Sequence, residues 1–171
     1  MKNYRWMWIL GLSAVLTGCA TAPKMAKSPA QGRHTMKAQL ADFAILGGAS
    51  LDEAGVKLVV PSDSLFKKGS SFLSKDGVQK VDALAATLSK YSADSVTVIV
   101  YTDNTGTDAK NLKISQHRAD RIKRELVKQG ISVDRVTVVG KGDVNPVAAN
   151  DTDNGRSQNR RAEFDIASSQ F

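Results

Sequence analysis

A run rich in β-branched residues, Ser95-Val-Thr-Val-Ile-Val-Tyr101, passes through a polar loop into a segment of helical period, Asp108 to Gln129. The run reads as a strand, because β-branched side chains fit a pleated surface and lose rotamer freedom in a helix. The segment after it reads as a helix stopped by Gly130 at its C-terminal cap. Val133 to Val139 is a further strand. Strand, helix and strand in succession commit the chain to a sheet with helices laid on it. The same alternation starts earlier. Val56-Lys57-Leu58-Val59-Val60 reads as a strand stopped by Pro61, which cannot donate to a ladder. Ser74 can cap a helix running to about Tyr91, along which Val78, Val81, Leu84, Ala85 and Leu88 recur at helical spacing. Residues 140–159 read as loop, and Arg161 to Ala167 as a closing strand. The expected fold class is α/β: a βαβαββ sandwich, with a small mixed sheet and helices on one face, running from about Gly55 to the end of the chain. Phe66 and Phe72 are expected in its core. Residues 37–53 fit either a short helix or a strand, broken at Gly47-Gly48.

The helix after Asp108 has two faces. Leu112, Ala119, Ile122 and Leu126 fall on one apolar stripe, while Lys110, Lys113, His117, Arg121, Arg124 and Lys128 fall on the far side as a solvated basic face. Asn111 and Arg118 are seven residues apart, so they lie about 20° from each other on the flank of the apolar stripe. A side chain there can be half buried and still reach a groove. Asp103 sits at the C-terminal end of a strand and near this helix's N-terminus, and such crevices are common ligand sites in α/β sheets. A carboxylate and a guanidinium can therefore converge on one pocket. Taken alone, such a pair could equally serve stability.

The N-terminus carries a second signal. Lys2 and Arg5 form a short positive segment, followed by the apolar run Met7 to Leu16. The run is too short to span a bilayer as a helix, which takes about 20 residues. A basic start, a short apolar centre and small residues make the pattern of a secretory signal over residues 1–18. Leu16-Thr17-Gly18-Cys19 resembles a bacterial lipobox. That resemblance implies acylation of Cys19 as residue one of the mature chain, and Ala20 after it resembles an outer-membrane destination. An ordinary signal peptide with a chance cysteine is the other reading. Cys19 is the sole cysteine, so an internal disulfide is excluded and an attachment point explains the residue better than a reactive thiol. Residues 20–36, rich in small residues, Pro and positive charge, read as a linker. Lipidated N-terminus and linker together are expected to occupy residues 19–54.

The formal charge of +7 falls to +5 once Lys2 and Arg5 leave with the signal. A moderately basic exported chain suits an anionic polymer or a membrane surface. Nucleic acid is not expected as a partner, because the basic residues are scattered and few aromatics stand beside them.

Tyr101-Thr-Asp-Asn-Thr-Gly106, then Asn111-Leu112 with Ser115, Arg118-Ala119, and Asn159-Arg160-Arg161-Ala162-Glu163 form a spaced set. It resembles the OmpA-like peptidoglycan-binding domains of outer-membrane proteins, lipoproteins and flagellar stators, over roughly Val56 to Ile166. The resemblance implies that Asp103 and Arg118 hold the amino-acid end of diaminopimelate in a stem peptide, and that Asn111 and Arg160 assist. It implies that Thr105 and the loop around Gly69 and Ser70 line the groove. One departure is Phe66-Lys67, where the family often has Phe-Asp. The residue chemistry agrees: a carboxylate can accept from an ammonium, and a planar guanidinium can clamp a carboxylate bidentately.

Other chemistry is poorly supported. His34 lies in the linker and His117 on the basic face, with no Cys beyond Cys19 and no Gly-flanked Ser to make a nucleophile pair. No enzyme, cofactor or metal is expected. Asp151-Thr-Asp153-Asn154-Gly155 resembles the start of a calcium loop, but its glycine comes one place early and no glutamate fills the twelfth position. It reads as a turn. The leading expectation is a wall-binding lipoprotein. An accessory subunit of an envelope machine, with protein partners of its own, is the runner-up.

Overall fold

A computed structural model describes residues 40–51, 55–91 and 94–167. The signal-like segment, Cys19, Ala20, the linker 20–36 and His34 lie outside the described residues. Five strands form one sheet: β1 (Gly48–Leu51), β2 (Gly55–Pro61), β3 (Ser95–Tyr101), β4 (Val136–Gly142) and β5 (Arg161–Ala167). Their order is β1-β2-β5-β3-β4. β3 and β4 are parallel, and the other pairs are antiparallel. The expected α/β class with a small mixed sheet is what the chain adopts.

The sheet owes its core face to period-two alternation. Val56, Leu58 and Val60 of β2, Val96, Val98 and Val100 of β3, and Ala162, Phe164 and Ile166 of β5 are all buried. Their in-register pairing, Val56 with Ile166 and Ile166 with Val96, aligns them on one side. Two helices cover that side. Helix α2 (Lys75–Lys90) brings Val81, Leu84, Ala85 and Leu88. Ser74 caps it, accepting from the Gly77 amide at 2.9 Å. Helix α3 (Asp108–Lys128) brings Ala119, Ile122 and Leu126. It lies so close to β4 that a Cβ on Gly140 would fall 2.2 Å from the Gln116 backbone nitrogen.

Several expectations are corrected. The sheet begins upstream of Gly55: β1 pairs with β2, residues 40–44 are helical, and Phe43 is fully buried. A short alternating strand and a single buried aromatic carry too little periodicity to be read locally. Val133–Arg135 is a 3-10 turn, and the strand runs instead from Val136 to Gly142. The segment 140–159, expected as loop, contains helix α4 (Asp153–Asn159), capped by Thr152 at the Gly155 amide. A four-residue helix α1 (Ser62–Leu65) follows β2 directly. Phe66 is buried, but Phe72 is 53% exposed, with its ring 4.2 Å from the Arg121 guanidinium. Leu112 is also exposed. The buried face of α3 is rotated from the purely apolar stripe, so that Asn111, Ser115 and Arg118 are buried in its place.

Candidate functional site

β5 lies between β2 and β3 and runs opposite to both. The C-terminal ends of β2 and β3 therefore flank the N-terminal end of β5. Beyond those three ends stand Ser62-Asp63, Thr102-Asp103 and Arg160, brought together from distant parts of the chain. They border an open cleft of about 750 Å³. Asn111, Ile114 and Arg118 of α3 form one wall. The loop of Lys67, Lys68 and Gly69 forms another, and Phe66, Thr105, Gly106 and Lys110 complete the lining.

Asp103 is 6% exposed. Its Oδ1 accepts from both the amide and the hydroxyl of Thr105. Its Oδ2 accepts from Nη1 of Arg160 at 2.7 Å. Burial pushes its pKa up, but the hydrogen bonds from Thr105 and Arg160 outweigh that and hold the carboxyl below its ordinary value. The Asp103 carbonyl accepts from Nδ2 of Asn111 at 3.2 Å, which ties the loop to the first turns of α3. Ser115 fixes the helix to β4 by accepting from the Gly142 amide at 2.9 Å.

Arg118 is 7% exposed. Its Nε donates to the Ser70 carbonyl at 3.0 Å, and its guanidinium carbon lies 5.0 Å from the Phe66 ring centroid. Burial lowers its pKa; Asp63 opposes that, Arg160 adds to it, and Asp103 opposes it. Among the described residues Arg118 forms no ion pair, and its two terminal nitrogens have no hydrogen-bond partner. Gly69 turns the loop with φ +67, a left-handed conformation that suits glycine, and the turn delivers the Ser70 carbonyl to Arg118.

Arg160 is gripped by two carboxylates. Nε and Nη2 fork onto Asp63, with Nη2 to Oδ2 at 2.7 Å, while Nη1 reaches Asp103. The hydrogen bonds with Asp63 and then Asp103 raise its pKa, so it stays charged throughout.

Six of the seven residues singled out in the sequence thus border one cleft: Asp103, Arg118, Asn111, Thr105, Arg160 and Gly69. Ser70 stands behind Arg118 as a carbonyl acceptor rather than in the lining. Sequence reasoning missed Asp63, whose only local signal is its place just after a strand. It also missed Ser62 and Thr102, whose buried hydroxyls lack partners among the described residues. His117 is exposed on α3. Among the described residues no cluster of three metal-ligating side chains occurs, and no helix is long and apolar enough to cross a membrane.

Comparison with known proteins places this geometry. The model of the OmpA family matches residues 65–160. The chain is 34% identical over 122 residues to the probable lipoprotein YiaD of Escherichia coli K12, covering 70% of this chain and 56% of that protein. It is 45% identical over 69 residues to the peptidoglycan-binding protein ArfA of Mycobacterium tuberculosis H37Rv, covering 40% of this chain and 21% of that one. Among solved structures, the cell wall anchor of the type VI secretion system from Pseudomonas aeruginosa superimposes with a TM-score of 0.66 at 26% identity, over 78% of this chain and 97% of that one. The chain spans a little over half of the YiaD length and a fifth of ArfA. With more than half of its residues matched by the family model, the chain belongs to the OmpA family.

Proposed function

We propose that this protein is a non-catalytic module that grips peptidoglycan through the diaminopimelate of a stem peptide, and so tethers the outer membrane to the cell wall. The lipid anchor would be Cys19, with the domain facing the periplasm. One observation carries the reading: a buried carboxylate, Asp103, and a buried guanidinium, Arg118, border one open cleft without pairing with each other. Diaminopimelate offers an ammonium beside a carboxylate, the complement of that pair. A carboxylate has about four acceptor positions, and Asp103 uses three within the protein. The fourth, or the one Arg160 vacates, can receive an ammonium. The open terminal nitrogens of Arg118 can fork onto the ligand's carboxylate. Asn111 and Thr105 hold Asp103 in place, and Arg160 supplies a second cation.

Charge-assisted bonds in a sheltered site contribute about 1.5–3 kcal/mol each. After ordering costs, a few of them give roughly micromolar to millimolar binding at one site. Many anchored copies facing a continuous polymer then bind multivalently. ArfA's name and the wall-anchor likeness support the same reading.

The test is a pull-down of the full-length protein and its Asp103→Ala variant on purified sacculi. Binding that survives the substitution removes the mechanism, and release of soluble wall fragments by the pure protein would make it a hydrolase. The likeness to a secretion-system anchor favours one second reading, an accessory subunit of an envelope machine that docks on the wall. Co-purification with a defined protein complex would select it.

A further inference from the structure

The charge of the chain is unevenly placed. Its first 37 residues hold six lysines and arginines and no acid, whereas all the acids lie between Asp42 and Asp165. The rest of the chain is therefore close to neutral. Against that background α3 segregates charge sharply. At 100° per residue, Lys110, Lys113, His117, Arg121, Arg124 and Lys128 fall within an arc of about 80°. No acid shares the arc: Asp108, Asp120 and Glu125 lie outside it, although Glu125 reaches round to pair with Lys128 at 2.9 Å. A helix stabilised by its own charges mixes signs along its exposed face; among the described residues this one makes a single such pair, Glu125 with Lys128. The stripe runs about 27 Å, from Lys110 to Lys128.

Two observations join this stripe to the cleft. Lys110 is both the first residue of the stripe and part of the cleft lining. Lys67 and Lys68 stand at the cleft as well, and the exposed ring of Phe72 from the same loop supports Arg121. A basic track thus leaves the cleft and continues along the helix. A ligand that ended inside the cleft would not use the track. A polymer with carboxylates at repeating intervals would.

We infer that the basic stripe of α3 is a second contact surface for the same wall polymer, taking carboxylates of repeats that neighbour the one held in the cleft. This rests on the reading of the cleft given above. The cleft selects the amino acid, and the stripe adds affinity that only an extended polyanion can supply. Such affinity weakens as salt rises, because exposed charges are screened.

The test compares the full-length protein with its Lys113→Gln/Arg124→Gln/Lys128→Gln variant, in which no substituted residue lines the cleft. Binding is measured on purified sacculi, on a soluble muropeptide with one stem, and on phosphatidylglycerol vesicles, each at low and high salt. At low salt the variant is expected to bind sacculi about tenfold more weakly, since each exposed ion pair contributes a factor of a few. Its salt dependence flattens, and its affinity for the single-stem muropeptide is unchanged, which also shows that the variant folds. The pair variant Lys113→Gln/Arg124→Gln gives a smaller loss of the same kind. Equal sacculus binding by variant and parent overturns the inference. So does a loss confined to vesicles, which would make the stripe a membrane surface. Asp103→Ala separates the two claims: if it leaves single-stem binding intact, the cleft reading itself fails, whatever the stripe does.

Discussion

Asp103 and Arg118, the buried acid and the buried base that border the cleft, are not partners; Asp103 Oδ2 accepts from Nη1 of Arg160 at 2.7 Å, and Arg118 Nε donates to the Ser70 carbonyl. A mutual ion pair would have satisfied each group and closed the site. Each is instead held from the side by a different neighbour, which leaves acceptor capacity on one and terminal donors on the other.

Arg118→Lys tests whether planarity matters. Lysine keeps the charge but loses the Nε contact to Ser70 and the stacking on Phe66. The Ser70 carbonyl and its loop lose their tie to α3. Stability is expected to fall by about 1–3 kcal/mol in urea titration, and single-stem muropeptide affinity to drop at least tenfold by calorimetry. A variant that binds like the parent would show that charge alone suffices.

Asp63→Asn opens the fork on Arg160. Asp63 is largely exposed, with 58% side-chain accessibility, so the stability cost should stay within about 1 kcal/mol. Binding is expected to weaken severalfold, because the fork is what aims Nη1 at Asp103. Thermal unfolding and muropeptide titration read the two effects separately.

Asn159→Ala should damage the fold more than the site. The Asn159 side chain is buried and makes four hydrogen bonds: it accepts from the amides of Val147 and Ala148 and donates to the Ala148 carbonyl and Asn150 Oδ1. Removing it takes away the one side chain that ties together Val147, Ala148 and Asn150, whose exposed or half-buried groups can only partly be satisfied by water instead. A loss of about 1–3 kcal/mol in urea unfolding is expected, and a loss below about half a kcal/mol would refute the clamp.

Acid should act through Asp103. Its folded pKa lies below its ordinary value, so its contribution to stability is fully present above the unfolded value of about 3.9. It is lost as pH falls through the folded value. The stability difference between the parent and Asp103→Asn should be flat from neutrality to mildly acid pH and shrink only below that unfolded value. Urea midpoints at a series of pH values measure it, and a difference that shrinks between pH 7 and 5 would contradict the assignment.

What the sequence determined by itself was whatever depends on local period and spacing. The alternation of Val96, Val98 and Val100, the cap at Ser74 and the helical repeat of α3 are legible because strand and helix geometry act over a few residues. Asp103 and Arg118 were legible too, since one ends a strand and the other shares a helix flank with Asn111. Only the tertiary structure decided who pairs with whom. Arg160 reaches Asp63 and Asp103 across long separations because β5 is inserted between β2 and β3, an order that no local pattern encodes. The same distance effect explains Phe72, which an apolar count sends to the core. Its loop instead leaves it half in solvent, with the ring against the Arg121 guanidinium of α3.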